Sequence, residues 1–415
     1  MEQITLSNGV RILLESIPFF KTASFGIWVL NGSRHERPEE GGASHFLEHM
    51  MFKGTASRSA LDIAIQSDLF GGQLNAYTSK EYTCYYAHTL SDHAPTAFEM
   101  LCDMLTGPRM DKEDVELERG VILDEIAMYE DSAEDVAADL LYDGVWAGHS
   151  LGRPILGTAD TVSSFTAQDL RRYLDGHYTP DRILVSVCGS FDRETMLDIC
   201  NRYLGALVPK KGRHVEDIPA FTTSIRLKEK DFEQSAILLG FPGLPLEDEN
   251  RIALSIFSNI AGGNASSRLF QRLREELGLV YSVSSYCICH KGAGLMAVGL
   301  TVTPDLEEKA LEETMKVLKR LRQSVTQEEL TRAKEQLKAG LVMGMEGISS
   351  RAGSAARSCL LENRIYTEDM LIQRVDAVTL DELMQKAQQS LCFDRMAVAA
   401  AGRLKSQAFY QSLRA

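Results

Sequence analysis

The segment GASHFLEHMMFKGT, residues 42–55, decides how this chain is interpreted. Its apolar residues follow a helical period. On a helix His45 and His49 lie four residues apart, so both imidazoles leave the same face one turn apart. Both can then bind one metal ion, with zinc–nitrogen distances of about 2.0–2.1 Å. Glu48 shares that face and is placed to act as a base on a water molecule beside the metal. The alternative is a half-buried helix with two ordinary, hydrogen-bonded histidines.

A catalytic zinc site needs a third protein ligand and an open coordination position. The acidic segment from Glu118 to Glu125 can supply the ligand. These two glutamates are two helical turns apart, so both face one side of a helix. One carboxylate can bind the metal while the other orients a ligand. The spacing also fits a solvated acidic helix, and it does not select Glu125 over its acidic neighbours.

Composition restricts the class of protein around this motif. A length of 415 residues indicates two domains or more, and 44% hydrophobic with 25% charged residues is typical of a globular protein. The net charge of −14 disfavours binding to a phosphate backbone, so we expect no nucleic-acid partner. Without an apolar run long enough to span a bilayer, or a basic, apolar opening segment, we expect no membrane partner and a cytoplasmic location. The eight scattered cysteines favour free thiols over a disulfide scaffold.

The order of predicted elements occurs twice along the chain. A hairpin around Asn8-Gly9 opens the first half, and 111–142 is predicted to be one long helical region. The segment 208–219, with two prolines and no apolar period, is the predicted linker. Helices predicted near the end of the second half are 307–321, 327–345 and 381–389. The prediction is an α+β protein of two similar domains, 1–210 and 220–415, each a mostly antiparallel sheet with helices packed on one face.

Several separated motifs, in matching order and spacing, resemble the pitrilysin/insulin-degrading zinc metallopeptidase family. The resemblance is strongest to its short-chain branch, which includes the mitochondrial processing peptidase β subunit and bacterial homologues. It covers essentially the whole chain. It is carried by HFLEH with FKGT, by LNAYTSKE from residue 74, by Glu118-Arg119 with Glu125-Ile126, and by SRLF with Arg274-Glu275 and GLVY ending at Tyr281.

The resemblance implies a role for each matching residue. His45, His49 and Glu125 would bind one Zn²⁺ per chain. Glu48 would activate the water, and Glu118 would support the site. The strand Asn75, Ala76, Tyr77 and Thr78 would bind substrate backbone by strand addition. Arg274 and Tyr281 would bind substrate and stabilise the oxyanion. The second half lacks an HxxEH motif around 259–264.

The resemblance also implies an assembly and an activity. Long relatives fuse two halves into one chain, so a chain of this length would form a homodimer whose closed chamber admits unstructured peptides, with basic ones favoured by an acidic wall. The expected activity is zinc endopeptidase cleavage of such peptides or of N-terminal extensions. The alternative is a catalytically silent assembly or partner subunit. The intact set His45, Glu48, His49 and Glu125 favours the enzyme, because silent relatives usually lose members of it.

Overall fold

The computed structural model describes residues 1–210 and 217–414. Residues 211–216 of the predicted linker lie outside this description. The chain divides into two compact units. Unit 1 comprises the described residues of Met1–Ile126, Arg153–Glu216 and Met343–Tyr366; unit 2 comprises those of Ala127–Gly152, Asp217–Val342 and Thr367–Ala415.

The sheet of unit 1 has six strands. They are β1 Glu2–Thr5, β2 Arg11–Ser16, β3 Thr22–Val29, β4 Gln73–Thr78, β5 Thr83–Leu90 and β6 Ile183–Gly189. Their order is β1-β2-β6-β3-β5-β4, with β2 and β6 parallel and the other neighbours antiparallel. The predicted hairpin joins β1 to β2, and Gly9 takes the positive φ of 105° that glycine adopts without a Cβ clash.

The sheet of unit 2 has five strands. They are β7 Ile225–Glu229, β8 Ser235–Pro242, β9 Ser282–His290, β10 Ala293–Val302 and β11 Ala397–Gly402. Their order is β7-β11-β8-β10-β9, with β7 and β11 parallel. Setting β1 aside, both sheets order their strands as first, fifth, second, fourth and third along the chain. The predicted duplication is therefore present as topology.

Helices connect and cover these strands. In the N-terminal half they are α1 Ala43–Met50, α2 Ala60–Leu69, α3 Ala94–Thr106, α4 Lys112–Glu130, α5 Ala133–Val145, α6 Ala159–Ser164, α7 Ala167–His177 and α8 Arg193–Tyr203. In the C-terminal half they are α9 Arg251–Gly262, α10 Glu307–Leu321, α11 Gln327–Glu346, α12 Ile348–Glu362, α13 Glu368–Ala377, α14 Leu380–Ser390 and α15 Gln407–Ser412. A π-helix occupies Phe270–Glu276.

One face of each sheet carries the main hydrophobic core. In unit 1 the buried residues of α1, α3, α7 and α8 pack on alternate residues of β2, β3 and β6, and the Phe25 and Phe98 rings meet edge to face at 5.3 Å. In unit 2 the buried residues of α9, α10 and α14 pack on β8, β10 and β11 in the same way. The predicted α+β class with two domains is confirmed.

The second face of each sheet is covered by a helix from the other half of the sequence. Helix α12 packs on β3 and β6 in unit 1, where Ala355, Ala356 and Leu360 meet Trp28 and Leu184. Helix α5 packs on β8 and β11 in unit 2, mainly through the side chains Leu141, Val145, Ala397 and Ala399. The boundaries 1–210 and 220–415 therefore miss an exchange of segments, and helices cover both faces rather than one.

Two details of the predicted elements also differ. The predicted helical region 111–142 is two helices, because the chain breaks after Glu130 and Ser132 caps α5 by accepting a hydrogen bond from the Asp135 amide. Helices α12 and α13 were not predicted.

The cysteines form no disulfide within the described chain. None of the described helices is both long enough and apolar enough to cross a membrane.

Candidate metal centre

Helix α1 is fixed at its N-terminus by a buried carboxylate. Glu36, only 4% exposed, accepts hydrogen bonds from the Gly42 amide at 2.9 Å and the Ser44 amide at 2.8 Å. These amides belong to the first turn, where backbone donors have no partner within the helix and a negative charge is favoured. Phe46, buried with Leu47 and Met50 in the core, fixes the rotation of the helix. The motif side chains are thereby held on its other face.

The two histidines of α1 and Glu125 of α4 converge. Nε2 of His45 and Nε2 of His49 each lie 3.6 Å from the same oxygen, Oε2 of Glu125. All three candidate ligand atoms lie within 4.8 Å of one another. A tetrahedral ion with bonds of ~2.0–2.1 Å holds neighbouring ligand atoms roughly 3.3 Å apart. The three side chains therefore fit a zinc ion after movements of a few tenths of an ångström to about one ångström.

The structure distinguishes Glu118 from Glu125, which the spacing alone did not. Oε2 of Glu118 lies 2.9 Å from Nδ1 of His49, and its other oxygen pairs with Nζ of Lys53 at 2.5 Å. A carboxylate accepts, so Nδ1 of His49 donates and its Nε2 keeps a lone pair directed toward Glu125. Glu118 is 4% exposed, and its contact fixes the orientation of His49, a candidate ligand. Lys53 lies just beyond the C-terminal end of α1. Its positive charge compensates the negative charge of the buried Glu118 carboxylate.

His45 is held neutral. Burial, with a smaller effect from His49, lowers the pKa of His45 to about 3. A neutral imidazole is the form that binds a metal ion. Its Nδ1 is buried and has no hydrogen-bond partner in the described part of the chain. Nε2 of His45 faces Glu125 and is the nitrogen placed to bind a metal ion.

Glu48 lies beside the three ligand residues without belonging to them. Thr78 donates a hydrogen bond from Oγ1 to Oε2 of Glu48 at 2.6 Å. Burial raises the pKa of Glu48 above its ordinary value. A carboxylate with a raised pKa next to a metal site is suited to accept a proton from water and to donate it later.

The predicted substrate strand is the edge strand of its sheet. β4 pairs with β5 on one side and ends the strand order on the other, so its outer backbone groups are not used within the sheet. Ala76 and Thr78 face the same side as α1, whereas Asn75 and the 37% exposed Tyr77 alternate to the opposite side. Strand β4 is thus joined to the candidate metal centre through Thr78 and Glu48.

Arg274 and Tyr281 belong to unit 2, not to the unit that holds the two histidines and Glu125. Arg274 lies on the π-helix Phe270–Glu276, with its guanidinium 5.0 Å from the centre of the Phe270 ring. Tyr281 is 71% exposed and its amide donates to the Thr301 carbonyl, just before edge strand β9. Single π-helical turns often occur at functional sites.

Sequence reasoning missed two supporting residues. Glu36 precedes α1 by several residues in an irregular segment, and no spacing rule connects it to the motif. Lys53 was noted only as part of FKGT, not as the partner of Glu118. A buried carboxylate cannot be distinguished from the many exposed ones in an acidic chain without tertiary contacts.

Comparison with known proteins agrees with this geometry. Residues 11–159 match the family model described as Insulinase (Peptidase family M16), and residues 164–337 match the model described as Peptidase M16 inactive domain. The uncharacterized zinc protease YmxG of Bacillus subtilis is 40% identical over 392 residues, which cover 94% of this chain and 95% of that protein. An uncharacterized zinc protease of Streptomyces coelicolor is 38% identical over 403 residues, covering 94% and 87%.

Solved structures show the same fold. A protease from Helicobacter pylori superposes with a TM-score of 0.89 at 20% identity, covering 97% of this chain and 99% of the other. A structure described as a peptidase M16 inactive domain from Pseudomonas fluorescens also gives 0.89, at 18% identity, covering 98% and 99%. With the sequence relatives, which match over nearly the whole length, these findings establish that the chain belongs to peptidase family M16.

Proposed function

We propose that the protein is a zinc-dependent endopeptidase that hydrolyses unstructured peptides or N-terminal extensions. The observation that carries this proposal is the convergence of His45, His49 and Glu125, with the carboxylate of Glu48 beside them. A zinc ion bound there supplies the Lewis acidity that lets water attack an amide carbonyl at neutral pH. One candidate ligand set among residues 1–210 and 217–414 supports one ion per chain.

The chain's own residues divide the remaining work. Glu48 takes a proton from the attacking water and returns it to the leaving amine, so no covalent intermediate forms. The hydrogen bond from Thr78 fixes the direction of the Glu48 carboxylate. Glu118 holds His49 in the tautomer that presents Nε2 as a ligand.

Substrate recognition by main-chain pairing fits the free edge of β4. An extended peptide added beside residues 75–78 forms backbone hydrogen bonds that do not depend on its sequence. The same strand reaches Glu48 through Thr78, so a peptide paired with it lies next to the proposed base. An unstructured peptide can take up this extended conformation without first breaking hydrogen bonds of its own.

A homodimer is the proposed active assembly. Arg274 and Tyr281 are exposed on unit 2, and their side chains can donate hydrogen bonds to negative charge that develops on a substrate. We propose that these residues serve the zinc site of the partner subunit, inside a chamber shared by the two chains. The net charge of −14 supports a preference for basic peptides.

The deciding experiment combines metal analysis of the purified protein with digestion of a peptide library. We expect stoichiometric zinc and cleavage that stops on chelation and returns with zinc. Glu125→Gln should lose zinc, whereas Asp124→Asn, which changes the adjacent exposed carboxylate, should keep it. Zinc retained in full by Glu125→Gln would place the third ligand elsewhere. A zinc-loaded protein that cleaves no peptide would instead favour the silent partner subunit.

A further inference from the structure

Unit 1 contains a cavity of about 340 Å³ between its sheet and helix α12, on the opposite side of the sheet from α1. Its walls are aromatic. The Trp28 and Tyr77 rings lie edge to face at 6.2 Å, and the Tyr77 and Tyr86 rings are also 6.2 Å apart. Small residues form much of the remaining lining, namely Ser24, Gly26, Ser186, Ser350, Ala352 and Gly353. The volume and the aromatic lining are typical of small-molecule sites.

Two polar groups of this cavity are left without partners. Ser24 is only 4% exposed, yet its hydroxyl makes no hydrogen bond with any residue that the structure describes. Arg357 of α12 lines the cavity from its exposed end and has no acidic partner among residues 1–210 and 217–414. The Ser24 hydroxyl and the Arg357 guanidinium are therefore available to form hydrogen bonds with a ligand in the cavity.

The equivalent interface in unit 2 is closely packed where helix α5 crosses the sheet. There α5 packs on β8 and β11 through Leu141, Val145 and Trp146, against small and aliphatic residues. A Cβ added to Gly240 would lie 2.8 Å from Leu141, so helix and sheet are in close contact at this point. In unit 1 a Cβ on Gly353 would meet Trp28 at 3.7 Å, an ordinary contact distance. Helix α12 therefore leaves room beside Trp28 at Gly353, whereas helix α5 leaves no such room at Gly240.

We propose that this cavity binds a small planar aromatic carboxylate. The ring of such a ligand would pack against Trp28 and Tyr86, because aromatic pairs add specific geometry to apolar burial. Its carboxylate would pair with Arg357, whose planar guanidinium matches a carboxylate in two parallel hydrogen bonds. The hydroxyl of Ser24 would give a hydrogen bond to any acceptor on the ring.

Occupancy of the cavity would be transmitted to strand β4. Tyr77 forms part of the cavity wall, and the next residue, Thr78, donates to Glu48 on the other side of the sheet. A ligand that packs against Tyr77 therefore restrains the strand proposed to bind peptides. This regulatory consequence rests on the proposed peptidase function, whereas binding itself does not.

Direct binding is tested with naphthoate as the probe and with naphthylmethanol as its uncharged analogue, by isothermal titration calorimetry on the full chain. We expect saturable binding of naphthoate and at least about tenfold weaker binding of the alcohol, since a hydrogen bond to a charged group is worth about 1.5–3 kcal/mol. Fluorine NMR of the fluorotryptophan-labelled protein reports the location. The chain has two tryptophans, so the Trp28 signal should shift while that of Trp146, buried in unit 2, stays in place.

Two variants and a control locate the site. Arg357→Gln removes an exposed charge that has no acidic partner in the described part of the chain, so it should leave the fold intact and weaken naphthoate binding about tenfold or more. Gly353→Leu should fill the cavity and abolish binding. Arg364→Gln, beyond the end of α12, should bind naphthoate like the wild type. Equal affinity for acid and alcohol, a shift at Trp146 alone, or no effect of Arg357→Gln would overturn the proposal.

The coupling to catalysis is measured separately. Saturating naphthoate should change the kcat/KM of peptide hydrolysis at least about twofold in the wild type and not in Gly353→Leu. Naphthoate binding without this change in kcat/KM would overturn the regulatory role, but it would still support the cavity as a binding site. An enzyme with no peptidase activity that still binds naphthoate would contradict the proposed function alone.

Discussion

The two units of this protein share one strand order and differ in the side chains that one helical connection presents. In unit 1 the connection between the second and third common strands includes α1, which places His45, Glu48 and His49 opposite its buried face. In unit 2 the corresponding connection includes α9, which buries Leu254, Phe257 and Ile260 and offers no such group. The difference teaches that sheet and helix packing maintain the fold, while the candidate metal centre is an addition that the fold does not need.

Replacing Glu48 tests this separation most strongly. Glu48→Gln keeps the shape of the side chain but removes the base, so turnover should fall by about 10²–10⁴-fold while zinc content stays unchanged. The matched change in unit 2 is Glu307→Gln, at a buried carboxylate that accepts a hydrogen bond from Tyr410. It should leave the peptide hydrolysis rate near that of the wild type. Unchanged hydrolysis by Glu48→Gln would remove its role as base.

The pH dependence of stability tests the cost of supporting α1. Burial raises the pKa of Glu36 from 4.5 to about 7, so between these values the folded protein binds a proton that the unfolded chain does not. This group therefore makes the protein less stable as the pH rises from 4.5 to 7. At about 1.4 kcal/mol per pKa unit the effect is roughly 3 kcal/mol.

Comparison with Glu36→Gln isolates that effect. The free energy of unfolding of the wild type minus that of the variant should fall by this amount across the interval, since glutamine does not titrate. In a Trp146→Phe background, Trp28 fluorescence follows the unfolding of unit 1 by denaturant. A difference that is flat with pH would show that Glu36 titrates normally in the folded protein.

Zinc affinity tests how far the candidate metal centre depends on the residues that orient its ligands. Glu118→Gln weakens the acceptor for Nδ1 of His49 and leaves Lys53 without its countercharge, so the zinc dissociation constant should rise by about 10–100-fold. Competition with a chelator measures it. The control is Glu116→Gln on the same helix, whose exposed carboxylate pairs with Arg119. An equal effect of both variants would indicate general destabilisation of α4 rather than loss of His49 orientation.

Mixed dimers test whether unit 2 contributes to the site. Glu48→Gln and Tyr281→Phe chains, each impaired alone, should together recover activity if a tyrosine serves the partner's zinc site. Random exchange makes half of the dimers mixed, each with one complete site, so roughly a quarter of wild-type activity should return. Complementation assayed before and after subunit exchange measures it. Activity that stays at the level of the separate variants would assign Tyr281 to its own chain or to no catalytic role.

Local patterns were sufficient for much of the site. The four-residue spacing of His45 and His49 determined that both lie on one face of a helix, and Glu48 shares that face because helical periodicity requires it. Family resemblance then selected Glu125 as the third ligand, because the spacing alone did not distinguish it from its acidic neighbours. Thr78 as the partner of Glu48 and Glu36 as the cap of α1 involve residues far apart in sequence or in irregular segments, so no periodicity could indicate them.

The sequence by itself determined the α+β class and the duplication, and it placed His45, Glu48 and His49 on one helix face, because these depend on periodicity, turn residues and short spacings. Only the tertiary structure decided that α5 and α12 change units. Helix α12 has the sequence ISSRAGSAARSCLLE, and its small and polar residues give only a weak apolar pattern. The pattern is weak because the helix contacts the sheet largely through alanines. Where such a helix lies depends on the surface of a distant sheet, which no local stretch of the chain encodes.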